Sequence, residues 1–411
     1  MMWNKLAIIL MLFSSQVYGE EAEVGMRLSY QKQGLSNSSF VIPKVYRNIS
    51  RQSVEQDAYL HLQQGIWTFN GQVAATQEIN GNLTDEKGII HELYVDTSIG
   101  NLEGSFGKKV VSWGTGYGFR PLDVIQRESR QALRTFNLEG VPMVLLEYFT
   151  KESALSTVIS KRLRFGGITP RKGKYEMAVK YSTLLGNSDL HLLLYQQQGN
   201  GLSAGIAAST VVGEQLELHG SARYLSVYHK ALHKLSGQPV RLLSNAQVFS
   251  QQRQYNGVQA LLGGSWTWEN GFSLMLEAWH DDTAYSRQQW LELLRINRFQ
   301  QKQLALGAPP QAVYNNTYAN SLIYSKQNIL KDTVFMRLSY DGDKLDPELS
   351  LLHTPLDGGV VLTVSANYAW SQNVSLFGSV RLLSGRKNSA YRASSERSQV
   401  FVGLQLLRMI K

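Results

Sequence analysis

Apolar and polar residues alternate with period two, in segments of about ten residues, along most of the chain. Tyr175, Met177, Val179 and Tyr181 alternate with Glu176, Ala178, Lys180 and Ser182. Leu216, Leu218, Gly220, Ala222 and Tyr224 alternate with Glu217, His219, Ser221 and Arg223, and Val360 to Trp370 repeats the pattern. Strands of soluble sandwiches run to roughly 5–6 residues. A tilted strand crossing a bilayer needs about 9–11, and these segments fit the longer class. The connections alternate as well. Short turns fall at Gln64-Gly65, Ile99-Gly100, Gly213-Glu214 and Ser371-Gln372. Longer gaps fall at 34–56, 78–88, 114–140, 164–173, 227–255, 282–330 and 385–396, with 198–201 and 354–358 as brief exceptions. Short turns at one rim, longer loops at the other and an even strand count make the outer-membrane barrel pattern. Trp268 and Trp370 stand on the apolar face just before short turns, so they share one rim, where amphipathic rings prefer the membrane–water interface. The expected fold is all-β: a single transmembrane antiparallel β-barrel of about 18 strands, with 16 as the alternative count, and with both termini periplasmic.

One stretch departs from the pattern. The strand expected at 101–113 runs into Gly114, Gly116 and Gly118, then Arg120-Pro121. Glycine allows positive φ and close backbone approach, and proline cannot continue a ladder. The segment 114–140 is therefore expected to fold inwards after strand 5, as a constriction or plug loop. Arg120, Arg127, Arg130 and Arg134 would line that constriction and attract carboxylates and phosphates, with Asp123 and Glu128 pairing beside them. Parity of the strands puts Lys109, Lys180, Arg223, Arg337 and Arg381 on the lumen-facing side together with Glu217 and Glu277. Such a mixed-charge wall either pairs internally or sets selectivity through the pore field.

Residues 1–19 have the form of a cleaved signal peptide: Lys5, an apolar core from Leu6 to Phe13, and Val17-Tyr18-Gly19 at the cleavage site. Residues 20–411 form the barrel. After Glu20 no apolar run is long enough for a helical span. There are no cysteines, hence no disulfides and no thiolate chemistry. The formal charge of +9 is spread among lumen and loops, which does not support nucleic-acid binding. The outer segment 227–255 is basic, with His229, Lys230, His233, Lys234, Arg241 and Arg253 and no acid; it suits the phosphates of outer-leaflet glycolipid. Within 282–330 the spacing of Trp290, Leu293, Leu294, Ile296 and Leu304 predicts a helix from Gln288 to Leu306, ended by Gly307 and Pro309-Pro310, that either caps or plugs the barrel.

Enzyme chemistry has little support. His219-Gly220-Ser221 lacks an identifiable orienting group and oxyanion hole. His280-Asp281-Asp282 is the one metal candidate, and the glycines after Trp113 have no βαβ context for a dinucleotide. No catalytic residue, metal or cofactor is expected.

Phe106-Gly-Lys-Lys-Val-Val-Ser-Trp-Gly-Thr-Gly-Tyr-Gly-Phe-Arg-Pro-Leu-Asp123 resembles a signature of poorly characterised outer-membrane barrels related to alginate-export porins. The likeness covers about twenty residues. It implies that Gly107, Lys108, Trp113, Gly114, Pro121 and Asp123 support a strand leading into an inward-folded loop; Lys109 stands where that pattern has Gln. The expected function is passive diffusion of small polar, anionic solutes through a partly plugged lumen of the cell outer membrane. The alternative is a non-conducting barrel serving adhesion, assembly or export through its long outer loops. The implied partners are outer-membrane lipid and glycolipid, the solute, and the barrel-assembly machinery, with the oligomeric state left open.

Overall fold

The computed structural model describes residues 21–36, 40, 51–79, 84–126, 138–162, 174–244 and 247–410. Strands β1 to β6 are Glu21–Leu35, Gln52–Gln64, Trp67–Glu78, Thr84–Ile99, Leu102–Lys109 and Val141–Phe149. Strands β7 to β12 are Ser153–Arg162, Lys174–Leu185, Ser188–Gln197, Leu202–Val212, Leu216–His233 and Phe249–Thr267. Strands β13 to β18 are Phe272–Asp281, Asp332–Tyr340, Leu345–Thr354, Gly359–Ser371, Val374–Gly385 and Glu396–Ile410. Each pairs antiparallel with its neighbours in sequence, and β1 pairs with β18 from Ala22↔Ile410 to Leu35↔Glu396. The 18-stranded sheet thus closes on itself and has no edge, the condition for strands in hydrocarbon.

Side chains alternate across this wall in the reverse of the soluble order. On β6, Met143 and Leu145 are buried while Val144 and Leu146 are exposed; on β7, Val158 is buried while Leu155 and Ile159 are exposed. Leu194, Ile206 and Leu262 continue the outward apolar band, Leu262 being 73% exposed. Water would not tolerate so continuous an apolar surface, and a bilayer solvates it. Trp67, Tyr148, Trp266, Trp268 and Trp370 are exposed at the short-turn rim, which makes an interfacial girdle. Two of the tight turns use Gly65 and Gly100 at φ of 54° and 60°, a conformation that favours glycine.

The outer end differs from expectation in several places, β4 for one starting at Thr84 inside the expected gap 78–88. Strand 5 stops at Lys109, because from Val110 the chain turns inward. β1 and β2 are longer than the alternation predicts, so the gap 34–56 shrinks to 36–51. The segment 227–255 is mostly hairpin: β11 and β12 stay paired out to His233↔Phe249, and only 234–248 connects them. Strands projecting beyond the bilayer need no lipid-facing apolar positions, so the periodic signal fades while the ladder continues.

The longest outer connection carries two helices, α1 (Arg287–Lys302) and α2 (Pro310–Ser321). Ser286 and Gln289 form a capping box at the start of α1. Pro310, read as a terminator, instead opens α2 at its first position, where a missing N–H costs nothing. Trp290, Leu293, Leu294 and Ile323 pack with Phe40, Phe249, Ala390 and Ala393. Trp290 Nε1 donates to Asn388 O at 2.8 Å, and Tyr324 Oη donates to Ala390 O at 2.8 Å. These contacts join the β1–β2, β11–β12, β13–β14 and β17–β18 connections, so the helices cap the outer mouth.

Leu262 lies mid-strand on the outward face. Leu262→Arg is expected to destabilise the barrel by about 2–4 kcal/mol, the cost of a cation at the bilayer midplane. Equilibrium unfolding in lipid vesicles measures this; an unchanged midpoint would place Leu262 in water.

Candidate functional site: the segment across the lumen

Residues 110–126 fold first upon themselves. The Asp123 carboxylate accepts from the backbone N–H groups of Trp113 (2.5 Å) and Gly114 (2.7 Å) and from Ser112 Oγ (3.1 Å). Arg120 Nη1 lies 3.5 Å from Asp123 Oδ2 and donates to Ser112 Oγ at 2.6 Å, and its Nε donates to the Gly116 carbonyl. Asp123 and Arg120 are therefore spent in a local knot around the glycines, with Asp123 buried. Gly114, Gly116 and Gly118 are there for close approach: none of the three has a positive φ. A Cβ on Gly116 would lie 2.2 Å from Phe119 O, and one on Gly118 would lie 2.9 Å from the Trp279 ring.

The segment then crosses the barrel. Its base hangs on β4, where Glu92 Oε1 accepts from Val110 N–H at 2.9 Å. Val111, Trp113, Leu122, Val124 and Ile125 pack on Met143, Leu145, Val158, Ala178, Leu193 and Tyr195, the inward side chains of β6 to β9. The tip reaches β13, far around the ring. There Glu277 Oε1 accepts from Tyr117 N–H at 2.6 Å and Oε2 from Gly118 N–H at 2.7 Å. Phe119 packs with Leu261, Trp279 and Phe335. Tyr117 stacks on Phe335 with centroids 5.7 Å apart, and the Arg337 guanidinium lies 4.7 Å above the Tyr117 ring. Glu277 is fully buried, and His219 Nε2 is 2.9 Å from its Oε1.

The other charged side chains singled out from the sequence sit as follows. Lys109 Nζ donates to Asp96 (2.9 Å) and to Ser105 Oγ (2.8 Å). Lys180 Nζ lies 5.5 Å from the Trp113 ring centre. Glu217 accepts from Ser265 Oγ at 3.2 Å. Arg223 donates to Gln259, Arg337 pairs with Glu348 at 2.7 Å, and Arg381 Nε is 3.3 Å from Thr363 Oγ1. Arg127, Glu128, Arg130 and Arg134 lie outside the described residues. The wall from β18 to β4 keeps a chain of polar contacts: Arg27 to Gln405, Gln405 to Tyr59, Gln72 to Asp57, and Gln72 with His91.

At the rim, His280 lies 2.6 Å from Asp332 and 3.3 Å from Asp282, and Lys331 Nζ binds Asp282 at 2.5 Å, so an ammonium already occupies the carboxylate proposed for a metal. Burial pushes Asp282 up, but Lys331, the Val258 N–H and His280 outweigh it and hold the carboxyl at about 2. Burial under the cap pushes the Lys326 ammonium down to about 8.

The role of Glu277 was not legible in the sequence, because its partners lie 160 residues away and carry backbone donors. Glu176, buried on β8, was also missed; it accepts from Ser160 (2.9 Å), Tyr195 (2.7 Å) and Gln197 (3.2 Å).

No protein-family model and no curated protein sequence matches the chain. Solved structures do. Acinetobacter baumannii OccAB1 aligns over 97% of this chain and 100% of its own, with TM-score 0.55 and 10% identity. Pseudomonas aeruginosa OccK5 (OpdH) aligns over 95% and 98%, with TM-score 0.54 and 10% identity. At that identity the likeness is one of fold: the chain has the closed barrel architecture that these two proteins share.

Proposed function

We propose that the protein is an outer-membrane channel through which small polar solutes diffuse passively, past a lumen narrowed by residues 110–126. The carrying observation is the asymmetry of the interior. A barrel of about 16–18 strands is too wide for its own side chains to fill. Here the inserted segment packs apolar side chains against β6 to β14, while the facing wall keeps Arg27, Tyr59, Gln72 and Lys109 in polar contact. The passage follows that polar wall. Arg120 and Asp123 are consumed by the knot, and the sequence that follows, up to residue 137, holds Arg127, Arg130 and Arg134 against Glu128. That excess of guanidinium groups favours anions, carboxylates and phosphates above all. Two barrels of the same architecture at TM-scores above one half support a membrane-spanning pore as the general class.

Single-channel recording in planar bilayers tests this. Discrete current steps with anion-favouring reversal potentials are expected, and R127A/R130A is expected to move the anion-to-cation ratio towards unity. Absence of steps from a heat-modifiable barrel would favour instead a capped barrel that binds a partner at its outer face.

The knot predicts a second outcome. Asp123→Asn keeps the shape but places an amide against Arg120, removing about 1.5–3 kcal/mol of charge-assisted bonding. Amide-exchange protection over 110–126 is expected to fall roughly ten- to a hundredfold, and open-channel noise to rise. Unchanged protection would show that Asp123 does not hold the segment.

A further inference from the structure

The outer rim carries a basic surface on its lipid side. Lys161 of β7 and Tyr175 of β8 are cross-strand partners that continue the outward parity of Ile159 and Met177. The Lys161 ammonium lies 5.2 Å from the Tyr175 ring centre. On β12 the pairing recurs: the Arg253 guanidinium lies 5.3 Å from the ring centre of Tyr255, which is 61% exposed. Parity decides which way this second pair points. Asn256, at φ 54°, interrupts the alternation of β12. Beyond it Tyr228 lies on the lumen side, where a Cβ on Gly257 would be 2.5 Å from its ring, and Lys230 is buried with Nζ 3.3 Å from Gln289 of α1. Their cross-strand partners are Gln254 and Gln252, so His229, Arg253 and Tyr255 stand on the opposite, outward face. The basic character read across 227–255 is thus divided: His229 and Arg253 face out, and Lys230 faces the cap.

Between the two pairs the rim dips, because β9 and β10 are joined by 198–201 alone. Amides line the dip. Gln196 Nε2 donates to Asn200 O at 2.7 Å, and Asn200 Oδ1 lies 2.8 Å from His229 Nδ1. Burial, then Lys174 and Arg253, push the His229 imidazole below its ordinary range, so basic groups of β8 and β12 share one field there. Among the described residues no carboxylate pairs with Lys161 or Arg253. We infer that this face of the outer rim, from β7 to β12, binds a phosphorylated glycolipid of the outer leaflet: Lys161 and Arg253 take phosphates, and Gln196, Asn200 and His229 meet the sugar hydroxyls between them. The inference is independent of whether the lumen conducts. The Tyr175, Tyr224 and Tyr255 rings, all exposed, set the level at the membrane–water interface, where head groups lie. Basic side chains at that level attract lipid phosphate, and a guanidinium does so through two parallel bonds. Strand spacing puts the Tyr175 and Tyr255 strands about 19 Å apart, less the reach of two long side chains. A saccharide with phosphate at both ends suits two cations separated by amides, whereas a phospholipid offers one phosphate.

The refolded full-length barrel in neutral detergent is titrated with three lipids, and binding is read from the rise in its thermal unfolding midpoint. The probes are a diphosphorylated, acylated glucosamine disaccharide, the same lipid without its phosphates, and phosphatidylglycerol. The diphosphorylated glycolipid is expected to bind about tenfold or more tighter than either of the others, the scale of one to two Lys/Arg contacts with lipid phosphate. K161A/R253A is expected to weaken that binding roughly thirtyfold, the scale of two such contacts. K151A/K344A removes the same charge from exposed positions at the short-turn rim and is expected to leave the affinity unchanged. Phosphatidylglycerol binding as tightly as the glycolipid overturns the inference, as does equal binding with and without phosphates. Equal weakening by the two double variants also overturns it, since net charge alone would then explain the binding. The comparison of lipids on the unaltered chain decides even if K161A/R253A does not fold.

Discussion

A backbone N–H or C=O stranded in hydrocarbon has no water to turn to, and sealing β18 against β1 removes the last row of such groups from this sheet. The consequences run outward and inward. Outward, the wall must present apolar side chains to lipid, which is why Leu146, Ile159 and Leu262 are exposed while their neighbours in sequence are buried. Inward, eighteen strands set a circumference that the inward side chains do not span. The interior therefore needs chain from elsewhere. Residues 110–126 supply it, and they bring their own small core with Trp113, Leu122 and Ile125.

That inserted chain is stabilised by two carboxylates with different tasks. Asp123 satisfies the amides of the turn it belongs to, so the segment has a shape before it meets the wall. Glu277 satisfies amides of a turn it does not belong to, and so fixes where that shape sits. Such partnering offsets the cost of taking a carboxylate out of water. Glu176 follows the same rule on the other side of the lumen, with three donors around it.

The barrel was legible because lipid imposes a period of two on every crossing strand, and the turn rim adds Trp268 and Trp370 as markers. Strand ends were less so. Past the membrane the β11–β12 hairpin answers to water on its outer side, and polarity alone made it look like a loop. The three glycines announced that chain would approach chain at 114–118, but a missing side chain names no partner. Glu277 looked like one more lumen carboxylate among several, because what distinguishes it is the pair of amides opposite. Pro309-Pro310 carried both meanings open to proline beside a helix, a stop and a start, and the structure uses Pro310 as the start.

The seam between β1 and β18 has a topological consequence. Since each strand pairs only with its neighbours around the ring, the sheet is a cycle with one seam, β1 against β18, whose two strands are not consecutive in sequence. Nothing in the ladder distinguishes that seam from the strand pairs joined by short turns on the same rim, such as those at Gly65-Ile66 or Gly186-Asn187. Cutting at one of those turns and joining the seam would leave every pairing unchanged. The order of strands is thus a property of the circle, whereas the order of synthesis is not: in the natural chain the two strands that seal the wall are made first and last, so no intermediate length of chain is without an open edge.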